Sequence, residues 1–85
     1  MRDSAEEEML LYKANELIEE GNIEEAESFY DEAMECYQDA MTIYRQLQYP
    51  KGVVEALGKI ARIYERKGAY KKSLSRLEEA LSIGG

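Results

Sequence analysis

Eighteen carboxylates and no histidine set the terms on which this 85-residue chain can do chemistry. Glu19-Glu20 and Glu24-Glu25 are adjacent pairs, the kind that could share a metal or divide acid and base work. A dinuclear carboxylate centre draws on Glu-x-x-His motifs, and none can be written here. No nucleophile stands with a base, and no Gly-rich phosphate loop is present. The pairs therefore read as solvated helix ends. Cys36 is the only cysteine, so an internal disulfide and a cysteine-built metal site are both excluded. It reads as a small residue on a long helix. Tyr30, Tyr37 and Tyr44 recur every seven residues, which suggests either a cofactor slot or a buried stripe, and helical spacing favours the stripe. These residues imply no enzyme, no catalytic residues, no cofactor and no metal.

Elements must position whatever else the chain does. One Pro, six Gly and 34% charged residues, with abundant Glu, Ala, Leu and Lys, favour an all-α fold. A chain this short buries only about 60% of its unfolded surface, enough for one modest core. No apolar run approaches the ~20 residues of a membrane span, and Met1-Arg2-Asp3-Ser4 leads into acids rather than an apolar signal segment. The expectation is a cytoplasmic protein with no membrane partner. The net charge of −7 disfavours nucleic acid. That charge is divided unequally: residues 1–40 hold fourteen acids against two bases, net −12, and residues 41–85 hold nine bases against four acids, net +5.

Ser4-Ala5-Glu6-Glu7 has the form of a capping box, and Gly21 that of a left-handed stop, which predicts a first helix over 4–20. Asn22-Ile23-Glu24-Glu25 repeats the capping pattern, so a second helix is predicted over 23–48. Along it Ala26, Tyr30, Ala33, Tyr37, Ala40, Tyr44 and Leu47 alternate steps of four and three. Tyr30-Asp-Glu-Ala33-Met34 is echoed by Tyr37-Gln-Asp-Ala40-Met41, as though one heptad had been duplicated and the helix lengthened by about 10 Å. That length would carry it past its partner and leave Tyr37, Met41 or Tyr44 needing cover. Pro50 starts a third helix, predicted over 51–67. Gly68 stops it, and the fourth is predicted over 70–83. Leu57, Ile60, Tyr64, Leu77 and Ala80 are expected in one cluster.

The order of residues from Leu57 through Ile60, Ala61 and Tyr64 to Ser73, Leu77 and Ala80, folded about Gly68, resembles the tetratricopeptide (TPR) helical hairpin. Leu10, Lys13, Ala14 and Leu17, then Ala26, Tyr30 and Ala33, resemble it less closely. Ser73 stands where the family has Ala, Gly85 near its terminal Pro, and Lys13 where it has an aliphatic residue. Gly21 and Gly68 lie forty-seven residues apart against ~34 for the ordinary repeat. Removing one heptad leaves forty, which resembles a longer variant with an extended second helix. The resemblance implies a single TPR-like domain of four helices in two antiparallel hairpins, repeat one about 4–48 and repeat two about 51–83.

It also implies a protein-interaction or assembly scaffold whose groove is lined by the first helix of each hairpin. Tyr12, Asn15, Glu19, Lys59, Arg62 and Arg66 would then contact an extended peptide or a partner helix. Leu11 stands where a carboxylate clamp would carry its first Lys, so a C-terminal carboxylate is not the expected ligand. The alternative is a purely structural, self-associating module, or a repeat cut from a longer or designed parent. Two repeats leave Leu74, Leu77 and Leu81 uncovered. With Tyr37, Met41 and Tyr44 these are the expected self-association residues of a homodimer, the acidic half of each copy facing the basic half of the other.

Overall fold

The computed structural model describes residues 3–84 and contains four helices: α1 Ser4–Ala26, α2 Tyr30–Gln46, α3 Pro50–Arg66 and α4 Tyr70–Gly84. Consecutive helices are joined by three-residue turns, too short for anything but antiparallel neighbours. α1 packs on α2, α2 on α3, and α3 on α4. The molecule is a thin stack measuring 42 × 29 × 13 Å.

The three turns are copies of one device. Ser28, Gln48 and Gly68 have φ of 67°, 53° and 79°, one left-handed residue every twenty. After α1 the amide of Phe29 donates to the Glu24 carbonyl (2.8 Å) and that of Ser28 to Glu25 (2.9 Å). Tyr49 to Tyr44 and Gln48 to Arg45, then Ala69 to Tyr64 and Gly68 to Glu65, repeat the pair. This is the Schellman pattern, which satisfies the carbonyls that a helix end leaves open. Only the third turn uses glycine, which alone adopts that conformation without a Cβ penalty.

The first hairpin departs from its sequence-based expectation. Gly21 does not stop α1 and Asn22 does not cap α2; α1 runs through both to Ala26. A Cβ built on Gly21 would stand 2.5 Å from Cε1 of Tyr37, and one on Gly52 would stand 2.5 Å from Cδ1 of Tyr44. Both glycines therefore admit a tyrosine ring against a helix backbone. The extended second helix is likewise corrected: α2 has 17 residues, the same as α3, and α1 is the long one at 23. At the N-terminus Asp3 is the cap, its carboxylate accepting from the Glu6 amide at 2.8 Å, and Ser4 is already helical. The second hairpin follows its expected bounds to within one residue at each end.

The core runs through the first three helices as Ala14, Ile18, Ala33, Tyr37, Ala40, Tyr44, Val53, Ala56, Leu57, Ile60 and Ile63. Tyr37 and Tyr44 are 0% and 1% exposed. With α2 lying between α1 and α3, no overhang exists and neither ring awaits a second chain, so both are withdrawn from the expected self-association surface. Tyr64 and Ala80 pack against the core beside Leu57 and Ile60, but Leu77 remains 45% exposed and is not part of that cluster.

Two substitutions with opposite expected signs test this account. Gly21→Ala, which would gain up to about 1 kcal/mol on an open helix, is expected to lose about 1–3 kcal/mol by crowding the pinned Tyr37 ring. Gln48→Gly is expected to gain up to about 1 kcal/mol by relieving left-handed backbone. Urea unfolding midpoints read both; a stabilising Gly21→Ala would refute the packing role.

Candidate functional site: a basic depression between α1 and α3

On α1, Tyr12, Asn15, Glu19, Asn22 and Ala26 recur at steps of three and four and so share a face. On α3, Glu55, Lys59, Arg62 and Arg66 do the same. Each of these α3 positions lies forty residues beyond its α1 counterpart, the spacing between the turns at Ser28 and Gly68. The C-terminal parts of the two stripes, with the intervening turn, form a depression lined by Asn22, Glu25, Ala26, Ser28, Tyr30, Lys59, Arg62 and Arg66.

Glu25 is its floor. It is 7% exposed and is held by both neighbouring helices. Arg62 donates from Nε to Oε2 at 2.6 Å and from Nη2 to Oε1 at 2.7 Å. Nε of Arg66 lies 3.3 Å from Oε2. From α2 the Tyr37 hydroxyl lies 2.9 Å from Glu25 Oε1 and 2.7 Å from Asn22 Oδ1. Burial pushes the Glu25 carboxyl up, but the hydrogen bonds from Arg62 and Tyr37 and the charges of Arg62 and Arg66 together outweigh it. The net result is a pKa below the ordinary value. The hydrogen bonds to Glu25 hold Arg62 protonated above its ordinary range. The Tyr37 hydroxyl is raised well beyond its own, by burial first and then by the Glu25 anion. Lys59 Nζ sits 5.9 Å from the Tyr37 ring centroid, close enough for a cation–π attraction.

Lys59, Arg62 and Arg66, expected as partner contacts, are brought together here. The other three are not: Asn15 accepts from the Tyr44 hydroxyl at 2.6 Å, Tyr12 is 66% exposed in a separate shallow dent with Met9 and Lys13, and Glu19 is exposed further along α1. Leu74, Leu77 and Leu81 lie exposed on α4 at 57%, 45% and 71%, and Met41 is half-buried against the core.

Sequence reasoning read Glu25 as part of a solvated helix end and Asn22 as a cap, whereas Glu25 is buried and Asn22 lies within α1; it missed the inward-reaching tyrosine hydroxyls. A signal was present: Asn15 and Asn22 are seven apart on α1, as Tyr44 and Tyr37 are on α2, in the reversed order that an antiparallel pair requires. It read Glu20 and Glu24 as solvated and Cys36 as a small helix residue, and did not foresee that their ligand atoms lie within 4.8 Å of one another. The Cys36 thiol donates to Glu24 at 3.1 Å and is pushed up to about 12 by burial, by that hydrogen bond and by the nearby acids. A thiol held protonated is a poor metal ligand at neutral pH.

A stack of two helical hairpins with one turn geometry recurring at fixed intervals defines a helical-repeat solenoid. The family model described as tetratricopeptide repeat matches residues 8–84, and the chain belongs to that family, a protein-interaction repeat. No curated protein and no solved structure matches it. No described helix is long and apolar enough to cross a membrane.

The lowered Glu25 pKa carries a pH prediction. Its stabilising contribution is fully present above the unfolded value, ordinarily 4.5, and is lost as pH falls through the lower folded value. Urea midpoints followed from neutral pH to about pH 3 should fall more steeply for the native chain than for Glu25→Gln; parallel curves would show that the arginines do not bind the anion.

Proposed function

We propose that the chain is a non-catalytic interaction scaffold whose α1/α3 groove takes an acidic stretch of an extended peptide or partner helix. The row Lys59, Arg62 and Arg66 carries this reading. Glu25 is one carboxylate against three cations, so the depression keeps a positive balance. It engages two of the five donors on Arg62, and Arg62 and Arg66 remain 45% and 51% exposed. Glu25 thus fixes the guanidinium groups in place, and a ligand carboxylate meets donors already ordered. Tyr12, Asn15 and Glu19 extend the stripe towards the start of α1 and would meet the flanking ligand residues.

A short fluorescein-labelled peptide alternating Glu with Gly is the probe. Fluorescence anisotropy should show binding that weakens with salt, and Lys59→Glu combined with Arg66→Ala should lower affinity about tenfold or more. Equal binding of a Lys-Gly peptide, or indifference to the paired substitution, would overturn the reading. Self-association is the second reading, favoured by the exposed Leu74, Leu77 and Leu81 on α4.

A further inference from the structure

The forty-residue translation that carries α1 onto α3 also carries α2 onto α4, and it separates the two ends of the stack. Met34, Tyr37 and Met41 map onto Leu74, Leu77 and Leu81. On α2, which α3 flanks, Tyr37 is 0% exposed and the two methionines are half-buried. On α4 the three leucines are 57%, 45% and 71% exposed. The outer face of α4 therefore repeats a face that elsewhere in this chain is covered by a helix.

The other end of the stack does not supply that helix. Val53, Ala56 and Ile60, buried on α3 at 5%, 0% and 1%, map onto Lys13, Glu16 and Glu20 on α1, all exposed. Docking α1 of a second copy on α4 would press an ammonium group and two carboxylates against leucines, so head-to-tail growth is closed.

We propose that the outer face of α4 is covered by α4 of a second copy, antiparallel about a two-fold axis. This rests on the self-association reading and specifies its geometry. Tyr70, Leu74, Leu77 and Leu81 follow steps of four, three and four, the seam spacing of paired helices. In the antiparallel register Tyr70 meets Leu81 of the second copy and Leu74 meets its Leu77. Lys71 and Glu78 flank the seam on one side, seven residues apart, and neither has an ion-pair partner among the described residues. The two-fold sets each Lys71 beside the Glu78 of the second copy, forming the same pair twice.

Light scattering over a micromolar concentration series, with the full chain, should show a reversible dimer and no larger species. Leu77→Glu, at an exposed position, should give single-chain mass throughout with unchanged helical circular dichroism. Lys71→Glu should weaken the dimer about tenfold, and adding Glu78→Lys should restore it. Single-chain mass for the native protein overturns both this interface and the self-association reading. A dimer that survives Leu77→Glu, or a charge swap that fails to restore it, overturns this interface alone, as does growth beyond two chains.

Discussion

Everything in this fold depends on α2 being buried from both sides, and two tyrosines make that possible. Tyr37 and Tyr44 lie against helix backbone at Gly21 on α1 and Gly52 on α3. A large ring in the interior contributes much apolar area, but its hydroxyl needs a polar partner. Here each hydroxyl crosses to α1, Tyr44 to Asn15 and Tyr37 to Asn22 and Glu25. The two contacts fix the register of α1 against α2 more tightly than apolar packing alone, since a one-residue slip would leave both hydroxyls unpaired. A core of few side chains gains its specificity from such bonds.

Glu25 extends that register to the second hairpin. A carboxylate withdrawn from water is costly, and here the hydrogen bonds and charges of its partners more than offset that cost for the ionised form. What the pair adds is direction: the bidentate contact allows one orientation of Arg62, so α3 is placed relative to α1 although their backbones barely touch. The polar node that positions the hairpins is thus the same one that lines the depression.

The second hairpin was legible because its signals were local and conventional: a proline at the first helical position, a glycine at the left-handed turn, and apolar residues at three-four spacing. The first hairpin was misread because a glycine in sequence has two physical meanings. Gly21 is present for ring contact and Ser28, seven residues on, is the turn; a serine at φ 67° gives no sequence warning. The seven residues subtracted to recover a forty-residue repeat are those between Gly21 and Ser28, so the apparent heptad insertion was a misplaced turn. The buried site was hidden for a different reason. Glu25 stands in a run of acids, and only tertiary contact with Arg62 distinguishes it from its solvated neighbours.

The unequal halves of the sequence find their use inside one chain. Glu25 with Arg62 and Arg66, and Asp31 with Lys67 at 2.6 Å, join acids of the first half to bases of the second. Arg45 with Glu79, also 2.6 Å, joins the hairpins with the signs reversed. Exposed pairs such as the last two contribute only about 0–1 kcal/mol each, so they do not hold the hairpins together; burial of the α2/α3 face does. Their effect is on choice. With hairpin one strongly acidic and α3 basic, a stack that placed α3 against an acid-poor surface would forgo the contacts of Arg62 and Arg66 with Glu25. Charge selects the neighbour that the apolar face then binds.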